Sequence, residues 1–449
     1  MEDALLVHRL QFGFTVSFHY LFAQLSMGLA LLVFLLKTGA LRSGGEGHLA
    51  RAGRFWTRIL GITFAIGVVT GIPMEFQFGT NWARFSQYAG NVVGHTLAME
   101  GLFAFFLESA FLSLLIFGEK RLSRMGHFLA AVALFLGSWL SAWFIIATNA
   151  FMQHPVGHRV AADGTLRLSS FWAFLLNPWA FAQYAHNQAA SVMTASFVVA
   201  ALGAFYVLQG RHLPEARLFL KIGTFAGLVS SVLVAFPTGD VQAKMVARHQ
   251  PVALAAMEGR FESGPRAGLN VIGQPNVKER RIDNPITVPD LLSLLAFGHV
   301  TSSVQGLNDF PESDWPDNIA LLYYSFHVMA GLGTLLIAVM AVAAFLAWRG
   351  RLERSGPALW VLMLSFPFPY IAVLAGWLTA ELGRQPWLVY GLFRTADGSS
   401  PNVNAGTALF TLIGFCGLYT VLSFLFFFLV SREVAHGPSP REAAGVAHA

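Results

Sequence analysis

A few residues able to bind a metal or carry a proton lie within the long apolar runs of this sequence. They are His19, Glu100, Glu108, His186, His327, Met329 and Glu381, with Arg384 three places beyond the last. An ionisable group at the centre of a membrane helix costs about 3 kcal/mol on insertion scales, so each is a functional hypothesis by default. The stretch GWLTAELGRQPW, Gly376–Trp387, states the case most sharply. A bare helix end needs neither a carboxylate in its last turn nor a guanidinium just after it. Glu100 and Glu108 are eight residues apart, which on a regular helix turns them roughly 80° and raises them about 12 Å, a spacing that suits a proton relay. Each residue also has a plainer reading. A lone histidine is often a packing residue, a lone methionine core or lipid contact, and a lone acid a neutral hydrogen-bonded group.

The elements that must position these residues follow from composition. The chain has 449 residues, 55% hydrophobic and 12% charged, with mean hydropathy +0.57. A soluble domain carries roughly a quarter charged residues. The charges cluster between apolar runs of about 20 residues, the length that crosses a bilayer. The class is therefore an all-α, polytopic transmembrane bundle. Nine spans are expected, at roughly 13–36, 56–78, 95–118, 127–150, 187–209, 218–238, 320–347, 357–380 and 406–430. Basic residues crowd the short connections after spans one, three, five and seven (Lys37 to Arg58, Lys120 to Arg124, Arg211 to Lys221, Arg349 to Arg354). The positive-inside rule then puts the N-terminus outside and the C-terminus inside. The net charge of +5 does not point to nucleic acid, because it is spread over these loops. Cys416 is the one cysteine, so no internal disulfide or cysteine-based cluster can form. No removable signal peptide is expected at MEDALLVHRLQFGF.

Four regions result: 1–238 with six membrane helices, an outer loop at 239–319, 320–431 with three more helices, and a cytoplasmic tail at 432–449. Surface helices are expected at Val241–Ser263, broken near Pro251, and at Pro289–Gly298. In this arrangement every candidate falls in the outer half of the membrane, which suggests one polar, cofactor-bearing layer. The ligand types suit haem. A histidine with a methionine from another helix suits a low-spin iron, and a single His or Glu with an open position suits one that binds oxygen. His8, His48, His127, His212, His436 and His448 lie near ends or loops and are poor ligand candidates; His95, His154 and His158 are slightly better.

These residues resemble the haem-bearing subunit I of the cytochrome bd quinol oxidases over nearly the whole chain. The likeness rests on FTVSFHYLFAQLSMG with His19, AMEGLFAFFLES with Glu100 and Glu108, MQHPVG, AHN with His186, GDVQAK, LAAMEG with Glu258, SFHVMAGLG with Met329, and GWLTAELGRQPW. It implies a bacterial inner-membrane enzyme that oxidises ubiquinol or menaquinol at the outer face. O2 would be reduced to water with protons taken from the cytoplasm, without a pump. It implies two b-type haems, one low-spin and one high-spin, and one d-type haem whose place a b-type haem can take. His186 and Met329 would ligate the low-spin haem, and His19 and Glu381 the two high-spin haems in either assignment. Glu100 and Glu108 would lie on the proton route, Arg384 would neutralise propionates, and Glu258 would accept a quinol proton. A homologous second membrane subunit is implied, with room for a small single-span one.

Two positions depart from the family pattern. Ala253 stands where a lysine is common, and His327 where an arginine is common. Residues i and i+2 lie about 200° apart on a helix, so His327 and Met329 cannot both face one iron. Met329 is expected as the ligand, with His327 at the haem edge. The short 239–319 loop resembles the often cyanide-insensitive branch. Two other classes compete. A proton-coupled transporter explains intramembrane acids but not a His/Met pair with a second His at one depth. A b-type electron-transfer anchor leaves His19 and Glu381 unexplained.

Overall fold

The computed structural model describes residues 2–44 and 47–438. Among these, nine helices are long and apolar enough to cross a membrane: α1 (Ala4–Arg42), α2 (His48–Thr80), α3 (Ala83–Phe117), α4 (Arg124–Gln153), α5 (Phe171–Leu208), α6 (Leu213–His249), α7 (Ile319–Trp348), α8 (Gly356–Arg384) and α9 (Ala405–His436). The expected count holds, but several helices run past the expected edges. α1 starts at 4 rather than 13, α3 at 83 rather than 95 and the main segment of α5 at 178 rather than 187, while α6 breaks at Phe236, close to the expected edge at 238. Hydropathy marks only the part suited to hydrocarbon, whereas a helix continues wherever its backbone bonds close. The 35 residues of α3 would reach roughly 52 Å, against a hydrocarbon core of about 30 Å. Glu100 is therefore near the middle of its helix, not near its outer end. The 432–449 tail begins as the last turns of α9, and residues 439–449, with His448, lie outside those described.

Helix starts are set by local chemistry. Asn318 accepts from the Leu321 N–H and Asn404 from the Thr407 N–H, both at 2.9 Å, and Ser123 accepts from the Gly126 N–H at 3.0 Å. Such caps each contribute about 1 kcal/mol. Four helices are interrupted, among them α5, which is two segments, Phe171–Leu175 and Pro178–Leu208. α3 contains a π-helical stretch, Leu102–Glu108. α6 breaks at Phe236, whose φ of −149° and ψ of 126° are extended. α8 is two segments, Gly356–Ser365 and Pro367–Arg384.

One end of the bundle carries the 239–319 connection and is here termed the loop end; the other is the basic end. The basic half is filled by Leu29, Leu36, Phe55, Trp56, Tyr206 and Phe219, all buried. α5 and α6 approach closely there, since a Cβ on Gly223 would lie 2.7 Å from the Ser196 carbonyl oxygen. Small residues of this kind let membrane helices pack backbone to backbone. Arg51–Glu215 and Arg54–Glu119 pairs, at 2.5 and 3.1 Å, tie the start of α2 to the start of α6 and to the turn after α3.

The 239–319 connection has the two expected helical regions: Asp240–His249 and Pro251–Met257, divided at Pro251, then Leu291–Phe297. It also has a feature that the all-α reading did not anticipate. Leu269–Asn276 and Arg281–Val288 form an antiparallel hairpin, pairing Leu269 with Val288 and Asn276 with Arg281. Pro275 and Pro285 argue against strands on sequence grounds, yet register shifts between Asn270 and Gln274 accommodate an irregular pair.

Candidate functional site

The site is assembled by hydrogen bonds that fix helix levels. The Tyr20 hydroxyl donates to Asn187 Oδ1, and Gln24 Nε2 donates to the same oxygen at 2.5 Å. Ser191 Oγ closes the network by donating to Gln24 Oε1. His19 precedes Tyr20 and His186 precedes Asn187, so α1 and α5 hold the two histidines at one level. His19 Nδ1 lies 3.0 Å from the Gly67 carbonyl oxygen and 3.2 Å from Thr70 Oγ1. An Nδ1–H donated to a carbonyl leaves Nε2 with the lone pair, the usual arrangement behind an imidazole ligand. The ring also lies flat against α2, where a Cβ on Gly71 would meet Cε1 at 2.9 Å.

His186 is steadied by the break in α6. Pro237 has no N–H to give, and the chain leaves the helix at Phe236. The Val234 carbonyl takes a hydrogen bond from the His186 ring, and Thr238 Oγ1 is 3.4 Å from Nδ1. Met329, on α7, fits a gap on α8: a Cβ on Gly376 would lie 2.8 Å from its Sδ. His327 is turned elsewhere. Its Nδ1 is 2.8 Å from the Tyr323 carbonyl oxygen, its Nε2 is 2.6 Å from the Asn270 carbonyl oxygen on the hairpin, and its ring stacks on Tyr323 at 3.9 Å.

Glu381 ends α8 with a partner on each oxygen. Oε1 accepts from Asn149 Nδ2 at 2.7 Å, and Asn149 Oδ1 accepts from Gln183 Nε2 at 2.7 Å. Oε2 pairs with Arg384. Gln183 lies one turn from Asn187, so this network joins the His19–His186 level. The Arg384 side chain is only 3% exposed. One of its Nη groups reaches the Leu388 carbonyl oxygen at 3.0 Å, while its Nε has no partner. A buried, unfilled guanidinium donor is suited to an anion such as a carboxylate.

Glu108 is buried and hydrogen-bonds Ser138 on α4. Glu100 lies within electrostatic reach of both Glu108 and Glu75, the latter on α2. The π turns between Glu100 and Glu108 reduce the 80° offset of a regular helix, because i→i+5 turns advance the chain by fewer degrees per residue. Such π segments are frequent at functional sites.

Glu258 follows helix Pro251–Met257 and is 2% exposed. Its Oε2 has no partner, and burial pushes the carboxyl up to about 8. Asn270 Nδ2 donates to the Glu258 carbonyl oxygen at 3.0 Å, tying the hairpin over it. Ala253, where the family commonly has lysine, faces α8: a Cβ on Gly383 would lie 3.4 Å from the Ala253 Cβ. His154 of MQHPVG packs against His249, with ring centroids 4.2 Å apart, beside Trp179.

Glu75, Gln183, Asn270 and Tyr323 were not picked out from sequence. Glu75 had a usable signal, being an acid inside the expected 56–78 span. The others are neutral groups, and only their partners mark them.

The model of the cytochrome bd terminal oxidase subunit I family matches residues 7–438. The chain belongs to that family. It is 36% identical to the cytochrome bd ubiquinol oxidase subunit 1 of Bacillus subtilis (strain 168), over 96% of this chain and 94% of that protein. It is 31% identical to the cytochrome bd-II ubiquinol oxidase subunit 1 of Escherichia coli (strain K12), over 99% and 98%. The bd oxidase structure from Geobacillus thermodenitrificans superposes with a TM-score of 0.88 at 32% identity, covering 97% of this chain and 99% of that one. This bd subunit I is thus part of a terminal respiratory quinol:oxygen oxidoreductase and a multi-pass protein of the bacterial inner membrane. A cytochrome bd subunit carries haem. The residues fit that group, with imidazoles tethered through carbonyls, a thioether in a glycine notch, and a guanidinium with a spare donor.

Proposed function

We propose that this subunit takes quinol, ubiquinol or menaquinol, at its loop end beside Glu258, and that the loop end faces the outside. The basic residues at the opposite end support that orientation. In this reading the N-terminus is outside, the C-terminus is inside, and 239–319 is the quinol-site loop between two sets of membrane helices. His186 and Met329 would hold a low-spin b haem. His19 and Glu381 would hold two high-spin haems, one b-type and the other d-type or b-type. When bound, the haems supply one-electron transfer and oxygen binding.

The chain's own residues set the proton traffic. Glu258 takes a proton from the quinol and passes it to the outer water. Glu108 and Glu100, with Ser138 beside them, hold protons drawn from the cytoplasm. Release and uptake on opposite sides separate charge without a pump. Arg384 offers its unpartnered Nε to a propionate. A homologous second membrane subunit, with or without a small single-span one, completes the enzyme, as the family resemblance implies.

The observation that carries this reading is the buried Glu258 carboxyl with an unfilled oxygen beneath the hairpin. The visible spectrum of the purified complex tests the cofactors, with a d-type band in the red expected. Low-spin b bands alone would favour an electron-transfer anchor. Glu258→Gln tests the quinol site, and full quinol oxidation by that variant would refute it.

A further inference from the structure

Two buried polar atoms at the loop end lack partners and belong to neighbouring side chains: Glu258 Oε2 and the Tyr323 hydroxyl. Both residues are almost fully buried, at 2% and 1% exposed. The phenol lies within electrostatic reach of the Glu258 carboxyl, yet neither atom bonds the other. An unsatisfied buried donor or acceptor costs about 1–3 kcal/mol, so a third group able to hydrogen-bond both atoms would relieve two such costs at once.

The surroundings hold the phenol closely and in place. A Cβ on Gly273 would lie 3.2 Å from the Tyr323 hydroxyl oxygen, and one on Gly259 3.3 Å from its Cδ2. The hairpin and the turn after Glu258 thus approach the phenol through glycines. Stacking on His327 at 3.9 Å fixes the ring. His327 is itself pinned by the Asn270 carbonyl, and the Asn270 side chain holds the Glu258 backbone. The two unfilled atoms are therefore held by one framework.

We propose that Tyr323 is a second polar contact for the quinol head group, with one hydroquinone hydroxyl bridging Glu258 and Tyr323. That hydroxyl donates its hydrogen to Glu258 Oε2 and accepts one from the Tyr323 O–H, so each atom gains the partner it lacks. His327 acts through Tyr323 as a positioning residue. This inference rests on the reading of Glu258 as the quinol site.

The test uses the whole purified oxidase and compares Tyr323→Phe with Glu258→Gln. Each variant is assayed with quinol and with a one-electron aromatic diamine that reduces the haems without the quinol site. Phenylalanine keeps the ring and the His327 stack. Tyr323→Phe is expected to lower kcat/KM for quinol on the order of tenfold, mostly through KM, the equivalent of one hydrogen bond. The diamine rate and the visible spectrum should not change. An unchanged KM in Tyr323→Phe beside an impaired Glu258→Gln overturns the bridging role alone and leaves the Tyr323 hydroxyl to water. Equal slowing with both donors also overturns it, because the defect then lies in electron transfer. Full quinol oxidation by Glu258→Gln overturns the reading of the pocket itself.

Discussion

Glu381 and Glu258 are both acids held inside the loop end, and they differ in what meets their oxygens. Glu381 has an amide on one oxygen and a buried guanidinium on the other. Glu258 has an unfilled oxygen and a carboxyl pushed up to about 8 by burial. The first arrangement suits an acid that must stay in place. The second suits an acid that changes protonation when a substrate arrives. The contrast also locates the two departures from the family pattern. His327 touches the framework around Glu258, whereas Ala253 faces Gly383, beside Arg384.

The largest effect should come from emptying the mobile-proton site. Glu258→Gln is expected to reduce quinol kcat/KM by about 10² to 10⁴, the range for losing a proton acceptor. The sign of its pH dependence follows from the raised carboxyl. Below about 8 the group is protonated and cannot accept, so native kcat/KM should rise about tenfold per unit up to about 8 and then level. A steady-state pH series on both proteins checks this, and a native profile flat across that range would remove Glu258 as the base.

Next comes the paired acid. Glu381→Ala leaves Arg384 and Asn149 without their partner and should cost about 3 kcal/mol of stability. Thermal unfolding of the purified complex reads it, and an unchanged midpoint would show that the pair contributes nothing. A smaller loss is expected at the Met329 notch. Gly376→Ala puts a Cβ 2.8 Å from Sδ and should cost about 1–3 kcal/mol by overpacking, with an altered low-spin spectrum. Gly331→Ala on α7, the helix that carries Met329, is the control, since nothing lies within 4 Å of its Cβ. The smallest effect is expected for His327→Gln, which removes the stack on Tyr323. A rise of a few-fold in quinol KM should accompany faster amide exchange in the hairpin, and protection equal to the native protein would show that His327 does not pin it.

What was legible in the sequence follows the physics of each signal. Nine apolar runs gave nine helices, because the cost of charge in hydrocarbon writes itself into composition. Glu381 and Arg384 stood out because two charges interrupt such a run. Pro251 correctly divided the surface helix. The helix extensions were hidden, since polar residues remain helical without any hydropathy signal. The hairpin was hidden by Pro275 and Pro285, although Val271, Ile272, Ile282, Ile286 and Val288 carry the β-branched enrichment of strands. Gln183 was hidden because a neutral amide costs little to place, and its meaning lies in a contact across 34 positions. The π turns of α3 have no composition marker, and so the sequence reading treats Glu100 to Glu108 as a regular helix.

The length of α3 beyond Glu108 has an electrical consequence. Phe117, where the helix ends, is nine residues further, so Glu108 stands roughly 14 Å from the basic end along the axis. In the proposed orientation, a proton drawn from the cytoplasm to Glu108 crosses close to half of a 30 Å low-dielectric layer. At 100 mV that passage stores roughly 1 kcal/mol for each proton. The register of one helix thus sets how much of the membrane voltage each turnover works against.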